Sequence, residues 1–291
     1  MLPDGFGVFI LTHGRPDRQH TLATLRAGGY SGRVWLVIDD EDSTVDEYRR
    51  LHGDAILTFS KADVAAEFDE GDQGRDRRSI FYARNASWRL ARDLGLRYLL
   101  QLDDDYIGLY VRFDRAWRYR SHNARDAQQL DDVFAAGVEA LVATGATAFA
   151  LSQGGDHIGG FPPGKHLRVA LRKAMNTFFL DVDFPFEFVG RVNEDVSTYT
   201  EGGRRGLLFL TTMLAQVNQT ATQSGAGGMT GLYLASGTYL KSFFSVMYCP
   251  SAVRIGTLGD HRSPHFRLHH TIDWERCAAK IVSERFRKAG G

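Results

Sequence analysis

Tyr98-Leu99-Leu100-Gln101-Leu102-Asp103-Asp104-Asp105 runs an apolar stretch into three adjacent carboxylates. The stretch has the length of a buried strand, and its end puts dense negative charge at a sheet edge. Adjacent carboxylates repel one another unless a cation sits between them. Hard oxygen donors of this kind suit Mg²⁺ or Mn²⁺, whose usual companion is a diphosphate. Taken alone, the triplet reads equally well as a solvated acidic turn. The chain on either side decides between the two.

Upstream, short apolar runs alternate with helical patterns. Val8-Phe9-Ile10-Leu11 is a strand ending in Thr12-His13-Gly14-Arg15-Pro16, and a helix follows from about Arg18 to Ala27, closed by Gly28-Gly29. Val34 to Ile38 is a second strand, ending in Asp39-Asp40-Glu41-Asp42, and Ala55 to Phe59 is a third. The polar stretch from Glu67 to Arg78 reads as a flexible loop, and a helix from about Ser79 to Leu94 precedes the aspartate strand. Such alternation predicts an α/β fold with a Rossmann-type, mostly parallel sheet flanked by helices. Ligands then bind at the carboxyl ends of the strands. The polar clusters fall at those ends in three separate strands, which argues for a site and against a turn. No Walker A sequence is present and no G-x-G-x-x-G follows the first strand, which disfavours P-loop and dinucleotide-binding enzymes.

The chain of 291 residues is 43% hydrophobic, enough for one sizeable core. No apolar run approaches the ~20 residues that span a bilayer, and no basic region precedes the first apolar run, so a cytoplasmic protein is expected. The two cysteines, Cys249 and Cys277, fit a reducing compartment. Net charge is zero, which excludes a global pull toward nucleic acid. Of the 35 basic residues only six are Lys; the Arg excess suits phosphate contacts and equally fits a GC-rich coding bias.

The second half is less regular. Ile107 to Phe113 reads as a strand returning to the sheet, Ala127 to Thr144 as an amphipathic helix, Ala146 to Ser152 and Asn176 to Val182 as strands. Gln153 to Lys165 and Thr220 to Gly231 read as Gly-rich loops, a helix starts near Asn193-Glu194-Asp195, and Asp273 to Lys288 reads as a final helix. No internal repeat or domain boundary is visible, so residues 1–291 are expected to form one domain.

This order of parts resembles a glycosyltransferase of the GT-A fold. More narrowly, LQLDDDYIGLYVRF, MNTFFLDVDFPFEFVGRVNEDVSTYT and the region from GGMTGLYLASGTYLKSFFSVMYCP through FRLHHTIDW resemble the TET-associated glycosyltransferases of bacteriophages. The resemblance implies sugar transfer from a nucleotide-sugar, with a UDP-sugar as expected donor, onto 5-hydroxymethylcytosine or a related base in phage DNA, with inversion. It implies a nucleotide-sugar-binding half over about 1–113 and an acceptor-binding half over about 114–291. A phage enzyme of this kind would act in the cytoplasm of the infected cell, and no obligate protein partner is implied.

By the family pattern, Asp103 serves the ribose and metal, Asp105 ligates Mn²⁺ or Mg²⁺ directly, and Asp104 shares either role. Thr12, Gly14 and Arg15 are placed to approach the base and phosphate; Gly14 permits close approach and Arg15 can pair with phosphate. Asp39 and Asp40 either bind the donor's base or ribose or act in a turn. Arg84 lies on the helix before the triplet, where it faces either the donor or solvent. Asp195 is the expected catalytic base, with Glu194 as neighbour or acceptor anchor; read in isolation, both are helix-start carboxylates stabilised by the dipole. Of the histidines near the C-terminus, His261, His265, His269 and His270, the last two are the candidates to complete the metal site. Their spacing excludes a structural zinc site of familiar form.

Tyr110 to Arg120 interleaves Arg112, Arg115, Arg118 and Arg120 with Phe113, Trp117 and Tyr119. Arginine pairs with phosphate and flat rings stack on bases, so this segment is the expected DNA-binding surface; the competing reading is an amphipathic hairpin over the sheet edge. Lys165, His166, Arg168, Arg172 and Lys173 form a second, weaker basic group. Two other functions compete: a glycosyltransferase with a saccharide or protein acceptor, and a non-catalytic DNA-binding module on a transferase scaffold.

Overall fold

The computed structural model describes residues 1–72, 74, 77–111, 125–153, 177–220, 230–258 and 266–277. Strands β1 (Phe6–Leu11), β2 (Val34–Asp39), β3 (Ile56–Phe59) and β4 (Tyr98–Asp103) lie parallel in the order β3-β2-β1-β4. Helices α1 (His20–Ala27), α2 (Val45–His52), α3 (Lys61–Glu67) and α4 (Phe81–Asp93) connect them. This is the α/β, Rossmann-type architecture that the strand–helix alternation predicts. The register aligns Leu11 with Asp103 and Leu11 with Val37, so the carboxyl ends of β1, β2 and β4 lie side by side.

The sheet continues without a break into the second half of the chain. Beyond β4 come β8 (Thr177–Asp181), β7 (Ala148–Gln153), β9 (Phe209–Gln219), β5 (Tyr106–Val111) and β6 (Arg125–Asp126), giving nine strands. β8 runs antiparallel to β4, and β5 antiparallel to β9. Helices α5 (Leu130–Thr144) and α6 (Glu194–Arg204) belong to this half, as does α7 (Thr230–Tyr248). A separate hairpin pairs β10 (Val253–Leu258) with β11 (Arg267–Ile272), and α8 (Trp274–Cys277) follows it.

Side chains alternate along each strand, and both faces are buried. Phe9, Leu11, Val37 and Leu99 point into one core with Val64 of α3, Phe81 and Trp88 of α4 and Tyr199 of α6. Val8, Ile10, Leu36, Leu100 and Leu102 point into the other with Leu25 of α1 and Leu130, Phe134 and Leu141 of α5. No described helix is long and apolar enough to cross a membrane.

Some elements differ from the sequence reading. The helix expected from Arg18 begins at His20, and the helix expected from Ala127 begins at Leu130. The stretch expected as a flexible loop after Glu67 is tied down at its start. Gly190 N donates to Asp69 O at 3.0 Å, Arg191 N donates to Glu70 O at 2.8 Å, and the Arg191 guanidinium forks onto Asp72 at 2.7 and 2.8 Å. The loop expected over 220–231 lies mostly outside the described residues, and its last two residues open α7. The final helix is described only as α8.

Candidate active site

A cavity of about 290 Å³ opens at the carboxyl ends of β1, β2, β3 and β4. Thr12, His13 and Arg15 line it from β1, Asp39 from β2, Lys61 from the turn after β3, and Asp103, Asp104 and Asp105 from β4. Arg78, Ser79 and Ile80 close the side that leads into α4. The structure thus brings together the polar ends of the four parallel strands of the first half.

The three aspartates have different surroundings. Asp104 is buried and bound to the first strand's loop: Thr12 Oγ1 donates to it at 2.7 Å and Arg15 Nη1 at 2.9 Å. Tyr48 of α2 organises that loop, its hydroxyl 2.8 Å from Thr12 Oγ1 and accepting Arg15 N at 2.9 Å. Asp103 accepts Arg84 Nη2 at 3.0 Å. Burial, with the nearby charges of Asp105, Glu194 and Asp104, still lifts Asp103 well above the usual carboxylate range, against the pull of Arg84. Among the described residues, Asp105 accepts one long side-chain bond, from Thr220 Oγ1 at 3.4 Å, and is raised by burial and by the charge of Asp104. Thr21 of α1 fixes the turn itself: its hydroxyl donates to Asp103 O at 2.5 Å and accepts Tyr106 N at 3.0 Å.

At the β2 end, Asp39 is buried between His13 and Lys61. His13 Nδ1 donates to it at 2.7 Å, and Lys61 Nζ lies 2.8 Å from its other oxygen. Burial pushes Asp39 up, but the bonds from His13 and Lys61 outweigh this and hold it below the usual range. His13 is raised in turn, by the Asp39 bond first and by the charges of Asp39 and Asp42. Gly14, at φ +67, has open space where a Cβ would stand, and its N–H reaches Asp42 Oδ2 at 2.6 Å. Asp40 does not line the cavity; its carboxylate accepts Lys61 N at 2.9 Å, the turn role weighed above. Lys61, the one lysine before residue 165, escaped the sequence reading, as did His13, Arg78 and Ser79 as individual site residues. A lysine immediately after a strand end, in so arginine-rich a chain, was the available signal.

Arg84 neither reaches solvent nor lines the cavity. It is fully buried, and its Nε donates to Glu194 Oε1 at 3.0 Å while Nη2 holds Asp103. Glu194 and Asp195 open α6, as expected. Burial lifts Glu194, Arg84 opposes that, and the neighbouring Asp195 adds to it. Asp195 is half-buried, and among the described residues its carboxylate accepts only Val196 N, at 2.8 Å. Asn193 before them is buried at φ +59, and its amide donates to Ser245 Oγ at 2.5 Å. The same amide lies 3.5 Å from Nδ1 of His270, which is buried on β11 beside His269.

Among the described residues, no group of three or more His, Cys, Asp or Glu side chains is placed to hold a metal ion by itself. The triplet nonetheless suits a hard divalent cation. Mg²⁺ and Mn²⁺ sites of this kind use one or two carboxylates, water and substrate phosphate oxygens. Asp103 and Asp105 would supply the carboxylates: burial and neighbouring acidic charge raise both, a repulsion that a cation would relieve. Arg112, Arg115, Trp117, Arg118 and Arg120, the second basic group at 165–173, and His261 and His265 lie outside the described residues.

A sequence model of the TET-Associated Glycosyltransferase family matches residues 6–228, which includes every cavity residue above. The chain belongs to this family. The TET-associated glycosyltransferase resembles no curated protein closely enough to match. Among solved structures, it is similar to glucosyl-3-phosphoglycerate synthase from Mycobacterium tuberculosis in complex with Mg²⁺ and UDP, at 9% identity and TM-score 0.46, over 92% of this chain and 87% of that one. The same enzyme with Mn²⁺ and UDP-glucose aligns at 11% identity and TM-score 0.46, over 92% and 86%. A mycobacterial protein aligns at 14% identity and TM-score 0.45, over 92% and 83%.

Proposed function

We propose that this glycosyltransferase moves a sugar from a nucleotide-sugar, a UDP-sugar by preference, onto the hydroxymethyl group of 5-hydroxymethylcytosine or a related pyrimidine in phage DNA, with inversion. One observation carries the donor part: four parallel strand ends converge on a single cavity that holds the aspartate triplet and two arginines. Membership of the TET-associated family supports the DNA acceptor. On this reading residues up to about 113 bind the donor and the remainder faces the acceptor.

The roles follow from the surroundings of each side chain. Asp103 and Asp105 hold Mn²⁺ or Mg²⁺, which when bound offsets the charge of the departing diphosphate. Arg15 and Arg78 bring positive charge to the same wall, and Asp104 fixes Arg15. His13, Asp39 and Lys61 offer donors and acceptors to the nucleoside. Asp195 takes the proton from the acceptor hydroxyl as its oxygen attacks the anomeric carbon. Glu194 is occupied by Arg84, which leaves Asp195 as the carboxylate of the pair with capacity to accept.

The test is incubation with duplexes bearing 5-hydroxymethylcytosine and a panel of nucleotide-sugars, then nucleoside mass analysis. A hexose-sized mass gain on the modified nucleoside is expected. Transfer to saccharide or protein acceptors with none to DNA would overturn the acceptor.

A further inference from the structure

We infer that Arg84 is a positioning residue that holds the donor-side carboxylate Asp103 and the acceptor-side carboxylate Glu194 in one fixed frame. The inference rests on the donor reading of the cavity. Asp103 lines that cavity, whereas Arg84 and Glu194 do not. Arg84 therefore acts from behind, through Asp103 on one side and through the start of α6, which carries Asp195, on the other.

Its surroundings leave it one geometry. The guanidinium carbon sits 5.0 Å from the Phe178 ring centre and 5.6 Å from that of Phe188. Gln101 Nε2 donates to the Arg84 carbonyl at 3.0 Å, pinning α4 to β4. The next residue, Asn85, exchanges two bonds with the backbone of Phe188, at 3.0 and 2.9 Å. Helix α4 is thereby clamped to β4 and to the segment that joins β8 to α6, at the height of the guanidinium.

Stability alone does not account for the arrangement. A buried ion pair is commonly no more stabilising than apolar side chains of similar volume. Among the described residues, Arg84 Nη1 also has no hydrogen-bond partner, and an unsatisfied buried donor is a further cost. What the guanidinium supplies is a rigid fork that spans two carboxylates from different halves of the molecule. A lysine keeps the charge but has no such fork.

Arg84→Lys is the first variant. Turnover is read on whichever acceptor the parent enzyme uses, so a failed DNA acceptor would be seen in the parent and leaves this test intact. UDP affinity with Mn²⁺ is read separately by calorimetry. A displacement of the reacting groups by about 1 Å lowers kcat about 10²-fold; that loss is expected, with the UDP dissociation constant and donor KM within about threefold of the parent. A merely structural role would lower thermal stability while leaving kcat per folded molecule unchanged. Arg84→Met/Glu194→Leu removes the guanidinium with one of its two carboxylates, leaving Asp103 at the cavity, and covers the case in which Arg84→Lys does not fold. It should fold and be as slow as Arg84→Met alone, because the two residues act as a unit. Parental kcat in folded Arg84→Lys or in the double variant would overturn the inference. So would a loss confined to UDP affinity, which would make Arg84 a donor ligand.

Discussion

Glu194 and Asp195 adjoin in sequence and differ in everything the fold gives them. Glu194 is spent on a buried guanidinium, while Asp195, which among the described residues accepts only Val196 N, is the carboxylate proposed to take the acceptor proton. Asp195→Asn should therefore retain UDP binding and lose transfer by about 10²–10⁴-fold, the range for a missing general base. Steady-state rates alongside calorimetry check this, and near-parental turnover would return the role to Glu194. At the β2 end, His13 faces Asp39 and Asp42, with Lys61 opposing, and its pKa is raised above 6.5. Its contribution to stability is complete below 6.5 and is lost as pH rises through the raised folded value. His13→Gln should thus destabilise the protein more at about pH 5.5 than at about pH 8.5. An equal difference in melting temperature at both pH values would show that the pair is not coupled to folding. The sequence placed these acids at strand ends and at a helix start but did not show their partners, which lie up to 110 residues away.

At the scale of elements, the parallel strands were legible because each is a short apolar run with polar punctuation at its carboxyl end. β9 was not. Its register against β7 shifts between Leu151 and Ser152, so the side-chain alternation that marks a strand is broken within it. Helix α7 was hidden for a related reason: it buries Phe244 yet exposes Tyr239, Phe243 and Met247, so no clean apolar face shows in its sequence. The segment 69–72 read as loop because its anchors, Gly190 and Arg191, lie far along the chain. Gly190 is the sensitive point of that junction. It sits at φ +77, and a Cβ would stand 2.6 Å from the Tyr248 ring. Gly190→Ala should destabilise the fold by about 1–3 kcal/mol, from backbone strain and crowding together. Urea unfolding measures it, and an unchanged midpoint would show that the junction can relax.

At the scale of the molecule, zero net charge means that any hold on DNA comes from a local patch. Replacing Arg115 and Arg118 together by Ala should weaken binding to hydroxymethylated duplex and flatten the dependence of log K on log salt by about 1–2 units. Identical binding at every salt concentration would remove that segment from the acceptor surface. The proposed donor site lies where the first four parallel strands end, and among the described residues Asp105 is the triplet member least engaged by protein side chains. Calorimetry of UDP binding, with and without Mn²⁺, in the parent and in Asp105→Ala, tests it most directly. Mn²⁺ should tighten UDP binding to the parent by about tenfold or more, equivalent to about 1.4 kcal/mol, and should have no effect on UDP binding to Asp105→Ala. A parent indifferent to the metal, or a variant that keeps the full gain, would contradict the account.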